Sequence, residues 1–263
     1  MARNESSRDI VYLLVNTHDH NVISYGITFH EFIDGLKNPL SNLLLLKHEY
    51  EDSEFHLHTQ LSYVTKDHLL KASNHDVNKF RSFCWVDFED IFSLDTIEDK
   101  ELAELLYLGH MKKHLSLPFF QNINNRFAYL TDNDGWMNKI YYRNWADFYD
   151  VLSSVISGKL SDRKIDKSII NFRKKKFYPP VDQSILHQLN SKFTEGIVIS
   201  FHSIRLMKNQ IEIPFWVVGD FYDMDEMMEV YHEKQVLPPA GYLSYDKKQR
   251  DWTIDFTKKL ENG

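Results

Sequence analysis

Two short patterns early in the chain bring imidazoles to the spacing a metal ion needs. They are His18-Asp19-His20 and His56-Leu57-His58. In an extended strand, residues i and i+2 project from the same face. Two neutral imidazoles so placed can share a divalent metal, which would then activate water for hydrolysis. His202 and Asp220 are the later residues able to complete such a site. Of thirteen histidines, eight precede residue 76. On this reading the chain is a metal-dependent hydrolase, its metal held by His18, His20, His56, His58, His202 and Asp220.

Thr17-His18-Asp19-His20 resembles the opening of the metallo-β-lactamase signature, Thr-His-x-His-x-Asp-His. Val22 and Ile23 stand where that signature requires Asp and His. The water-positioning acid and the third ligand are therefore both missing. The chain also lacks the strand–helix alternation of a barrel metallohydrolase. The competing reading makes His18 and His20 solvated hairpin-turn residues and His56 and His58 the polar face of an edge strand.

Other chemical motifs fail outright. Asp132-Asn133-Asp134-Gly135 has the look of a calcium loop. Aligned on Gly135, however, it puts Leu130 and Tyr141 where the first and twelfth ligands belong. No Gly-x-Gly-x-x-Gly, Walker or Gly-x-Ser-x-Gly pattern occurs. Cys84, between Phe83 and Trp85, reads as a core thiol, and one cysteine allows no internal disulfide. No catalytic residue and no cofactor is assigned, a divalent metal arising only under the hydrolase reading.

Charge is unevenly spread. The net charge is −7, with −9 on residues 1–157, +6 on 158–176 and −4 on 177–263. Arg173, Lys174, Lys175 and Lys176 beside Phe172, Phe177 and Tyr178 could contact phosphates and stack on bases. The acidic remainder opposes nucleic acid at long range.

The elements that must position these residues recur as a hairpin followed by a helix. Ile10–Val15 and Val22–Thr28 flank the first histidine pair, and a helix over residues 29–36 follows. Phe127–Thr131 and Trp136–Tyr142 flank a Gly-containing turn before an amphipathic helix through Val155. Ile197–Met207 and Ile211–Val218 precede a helix carrying Met227 and Tyr231. Phe55–Val64 and Ser82–Asp87 read as further strands, and 241–245 with 252–256 as a last hairpin. An acidic-Phe-x-Asp signature marks four junctions, at 31–34, 87–90, 147–150 and 220–223. Acids there can cap free helix N–H groups while the Phe anchors the turn. One long amphipathic helix is expected over 96–114.

The fold class is thus α+β, with mainly antiparallel sheet built from hairpin-then-helix units. The expected organisation is an acidic region 1–157, a basic connector 158–181 and a region 182–263, or one domain throughout. The polar start and the absence of a long apolar run predict a cytoplasmic chain with no membrane contact. Acidic, aromatic-rich and without catalytic motifs, the chain is expected to be a non-enzymatic binder of another macromolecule. The partner is a protein in the first place, and the class is a regulator, inhibitor or immunity-type factor.

Overall fold

A computed structural model describes residues 9–47, 52–74, 83–111, 113, 115–132, 137–163 and 177–257. The sequence of β1 (Ile10–Asn16) explains much of the architecture. It is apolar at every position from Ile10 to Val15 because both of its faces are covered. Val11, Leu13 and Val15 enter one core layer, while Ile10, Tyr12 and Leu14 enter another. β1 pairs with β2 (Asn21–Tyr25) on one side and with β9 (Ile197–Ser200) on the other. Strands from residues 1–157 and 182–263 therefore belong to one antiparallel sheet.

The other strands are β3 (Asn42–Lys47), β4 (Glu54–His56), β5 (Leu61–Val64), β6 (Cys84–Phe88), β7 (Phe127–Asp132), β8 (Met137–Tyr142), β10 (Arg205–Leu206), β11 (Gln210–Val217), β12 (Gly241–Asp246) and β13 (Asp251–Phe256). Across the sheet the order is β13-β12-β11-β9-β1-β2-β8-β7-β6-β3-β5-β4, and β10 pairs with β11. The α+β class with a large antiparallel sheet, expected from the sequence, is what the chain adopts.

The first face of the sheet carries α1 (Phe29–Gly35), α2 (Lys66–Asn74), α4 (Trp145–Asp162), α5 (Gln183–His187) and α6 (Asn190–Thr194). Phe32, Leu69, Leu152, Leu186 and Phe193 bring these helices into one core with Leu13, Trp85 and Tyr129. α1 and α4 run antiparallel at close range. Glu31 pairs with the buried Lys159 at 3.0 Å, and a Cβ on Gly35 would lie 2.8 Å from Val151 Cα.

The second face carries a 3-10 helix (Ile91–Thr96) and α3 (Asp99–Met111) over β3, β6 and β7. Leu94, Leu105 and Leu108 pack there on Leu44, Val86 and Leu130. Over β1 and β9 the same face carries α7 (Met224–Lys234), with Met227 and Tyr231 packed on Tyr12, Leu14 and Val198. Tyr141 belongs to the first of these clusters and Met137 to the second. Both lie on β8, four residues apart, and so project from one face.

Several details differ from the sequence reading. The strand expected over Ile197–Met207 is interrupted after Ser200, leaving only Arg205–Leu206 as β10. Residues 55–64 are not one strand but the hairpin β4–β5, because 57–60 turn and Gln60 adopts a left-handed φ of 55°. Extended backbone at Ile97 (ψ 124°) separates the 3-10 helix from α3, so the expected helix over 96–114 starts at Asp99. α4, with 18 residues against 13 for α3, is the longest helix among the described residues. The acidic-Phe-x-Asp signature also serves more than one purpose. Asp90 caps the 3-10 helix and Asp223 caps α7, while Glu31 closes a capping box with Thr28. At 147–150 the cap is Asn144, and Asp147 lies inside the helix. Phe32, Phe88 and Phe148 are buried, as anchors should be.

Candidate interaction surface

The histidine pairs occupy turns rather than a shared pocket. His18 and His20 lie in the β1–β2 turn, which Asn16 and Asp19 close through two hydrogen bonds of 2.9 and 3.0 Å. The His20 ring stacks on Trp145 with centroids 5.7 Å apart. His56 ends β4, and its Nε2 lies 3.3 Å from Asp95 Oδ1. His58 sits in the next turn with Nε2 3.1 Å from the Ile97 carbonyl. β2 and β4 are six strand positions apart, roughly 29 Å at about 4.8 Å per strand.

His202 follows β9, and its amide donates to the Asp9 carbonyl. Asp220 follows β11, which runs antiparallel to β9. The two residues therefore lie at opposite ends of the sheet. Among the described residues no three His, Cys, Asp or Glu side chains are grouped as a metal would require. Arg173, Lys174, Lys175 and Lys176 fall outside the described residues.

Sequence reading missed a buried carboxylate. Asp87, the last but one residue of β6, lies on the first face, where its Oδ1 accepts the amides of Arg126 and Phe127 at 2.9 and 2.7 Å. Those bonds continue the β6–β7 pairing beyond its last strand partners, Val86 and Ala128. Burial pushes the Asp87 carboxyl up to about 7, against the pull of the two amides and of Arg126. Asp147 is likewise raised by burial, with Arg126 partly offsetting it. This is how a structural carboxylate that braces a strand end behaves, and both of its hydrogen bonds are spent on the fold.

The outward chemistry lies on the second face. Residues 89–104, spanning the 3-10 helix and the start of α3, hold seven acids and one lysine. Residues 220–234, spanning α7 and the loop before it, hold six acids and one lysine. That lysine, Lys234, spends its ammonium on the Val217 and Val218 carbonyls at 2.8 and 3.3 Å. Asp225, Glu229 and Glu233 are exposed and stand at i, i+4 and i+8 along α7. Like charges at that spacing weaken a helix by about 0.2–0.5 kcal/mol per pair. Asp225, in the first turn, also suits the helix dipole, but Glu229 and Glu233 lie beyond that turn and take no part in the packing of Met227 and Tyr231. Tyr222, 67% exposed, stands at the entrance to this helix.

The loop before α7 is firmly held. Phe221 donates its amide to Tyr12 Oη at 2.8 Å, and Tyr12 donates to the Gly219 carbonyl at 3.1 Å. Gly196 (φ 75°) lets this loop approach β9, because a Cβ there would overlap the Gly219 carbonyl. Asp220 and Tyr222 are thus presented from a fixed support.

The chain matches no protein-family model, no curated protein and no solved structure. No helix among the described residues is long and apolar enough to cross a membrane. The acidic blocks could be counted from the sequence. That both blocks lie on one face could not, because it depends on the pairing of β1 with β9, two strands 187 residues apart at Ile10 and Ile197.

Proposed function

We propose that the protein binds a basic macromolecule, a protein in the first instance, through the second face of its sheet. One observation carries this reading: the two acidic segments, α3 with its 3-10 helix and α7, cover the same face. Thirteen carboxylates against two ammonium groups form a field that draws in a basic partner and repels an acidic one. The i, i+4 row on α7 supports the reading further. Asp225 suits the first turn, but Glu229 and Glu233 add repulsion further along the helix, where its own stability gains nothing from them. Exposed Tyr222 supplies an aromatic anchor of the kind that concentrates binding energy at interfaces. The role is that of a regulator or inhibitor acting by occupancy, with no chemical step.

The test is capture of a partner from the native source with the immobilised protein, set against a variant carrying Glu98→Gln, Asp99→Asn, Glu229→Gln and Glu233→Gln. The expected partner is basic, is lost at about 0.5 M salt, where the Debye length falls to a few ångströms, and is retained poorly by the variant. A partner held equally by both proteins at high salt would overturn the reading.

A further inference from the structure

The two outermost strands among the described residues are finished differently. β13, at one edge, is six residues long and exposes Asp251 and Asp255 along its length, with a partly exposed Phe256 at its end. Charges of that kind discourage a foreign strand from pairing. β4, at the other edge, has three residues, and its hairpin exposes Phe55 (58%) and Leu57 (84%). Among the described residues no strand pairs beyond β4, and although Glu54 is exposed there too, the apolar Phe55 and Leu57 at this edge can receive a strand.

We infer that the β4–β5 hairpin is a docking edge for an extended, basic segment of a partner protein, which adds itself to β4 as a further strand. This rests on the proposed reading that the partner is basic, and it places a specific contact within it. The backbone geometry suits the role. The His56 carbonyl is turned inward, accepting the Gln60 amide at 2.9 Å. Backbone groups alternate in direction along an antiparallel strand, so the N–H and C=O of Phe55 face the open side. Main-chain pairing at such an edge supplies affinity, and alternate side chains supply specificity.

The edge is also held in place before any partner arrives. Tyr63 donates its hydroxyl to Glu54 Oε2 at 2.7 Å across the hairpin. His56 and His58 tie it to Asp95 and Ile97 of the segment bridging the 3-10 helix and α3. Little ordering is then left to offset binding. The second histidine pair thus has a job, fixing an edge strand against the second-face layer.

Charge selects the occupant. No Lys or Arg occurs between residues 52 and 65, which carry Asp52 and Glu54. Lys71 reaches Asp52 at 3.6 Å and offsets that one. Glu98 and Asp99, both exposed, directly follow Ile97, the residue that holds His58. A segment alternating apolar and basic residues meets complementary charge and keeps its apolar side for Phe55 and Leu57.

The probe is a ten-residue peptide of alternating valine and lysine, labelled for fluorescence anisotropy, with a copy N-methylated throughout. The full-length protein is expected to bind the first at least tenfold more tightly than the second. Leu57→Asp should cost at least tenfold with an unchanged thermal midpoint, as its exposure implies, and Phe55→Lys should act in the same direction. Equal binding of the N-methylated copy, or no effect of either variant, overturns the inference. So does a dimer in sedimentation that Leu57→Asp dissolves, which would make a second copy the occupant. If Glu229→Gln with Glu233→Gln weakens peptide binding while Leu57→Asp does not, the acidic-face reading stands and the edge inference fails. If no basic peptide binds in a salt-sensitive way, both fail.

Discussion

Phe221 donates its backbone amide to the hydroxyl of Tyr12 at 2.8 Å, although 209 residues separate them in the chain. Tyr12 lies in the middle of β1 and is fully buried, and burial raises its hydroxyl well above the ordinary tyrosine value. It therefore stays neutral and serves as both donor and acceptor. Tyr12→Phe leaves the ring in place but orphans the Phe221 amide. An unsatisfied buried donor costs about 1–3 kcal/mol. Urea denaturation should show a loss in that range. Hydrogen exchange should speed up at 219–223 more than in β1, and an unchanged exchange pattern would mean that the loop is held by something else.

Asp87 predicts a pH dependence of stability. Its carboxyl is raised from 3.8 to about 7 in the folded protein. Between those values the folded protein holds a proton that the unfolded chain has released. Stability contributed through this group is therefore fully present below the lower value, falls as pH rises through the window, and levels off above it. Asn in place of Asp keeps the oxygen that accepts from Arg126 and Phe127 and cannot ionise. Asp87→Asn should match the wild type at pH 4 and exceed it at pH 8 by urea denaturation. A constant difference between the two proteins across that range would show that Asp87 does not titrate as its burial requires.

Local signals carried most of the fold. The turns after Asn16 and after Asp246, the cap at Asp223 and the buried Phe32, Phe88 and Phe148 of the repeated signature rest on residues close in sequence, so pattern reading reaches them; Thr28, read as the end of a strand, is instead the cap of α1. It failed where the deciding contact was distant or a turn lacked its usual residues. The turn 57–60, Leu-His-Thr-Gln, contains no Gly, Pro, Asn or Asp, and its left-handed residue is Gln60. Nothing in its composition breaks the apparent strand from Phe55 to Val64. The candidate surface follows the same rule. Its charges could be counted in advance, but α3 and α7 reach one face only through strand pairings that close across most of the chain.

Close helix packing gives a third prediction. In an exposed helix Gly→Ala would gain about 0.5–1 kcal/mol from backbone entropy. At Gly35 the new methyl would lie 2.8 Å from Val151 Cα, which is backbone and cannot swing aside. Overpacking of this kind costs about 1–3 kcal/mol, so the steric term wins. Gly35→Ala should lower the thermal midpoint, whereas Gly158→Ala, where nothing lies within 4 Å of the new Cβ, should raise it or leave it unchanged. Equal effects at the two glycines would contradict the close α1–α4 crossing.

The acidic row on α7 makes the sharpest demand, because stability and binding should move in opposite directions. Asp225, Glu229 and Glu233 repel one another at i, i+4 spacing on an exposed face. Glu229→Lys turns two repulsions into two attractive pairs. At about 0.2–0.5 kcal/mol for each pair formed and each repulsion removed, the gain is roughly 1 kcal/mol at low salt, fading as salt screens it. The same change reverses one charge at the centre of the proposed surface and should weaken capture of a basic partner several-fold. Thermal denaturation across a salt series gives the first quantity, and binding under the same conditions gives the second. A more stable variant that binds as well as the wild type would leave the repelling row without a purpose and take α7 out of the proposed site of recognition.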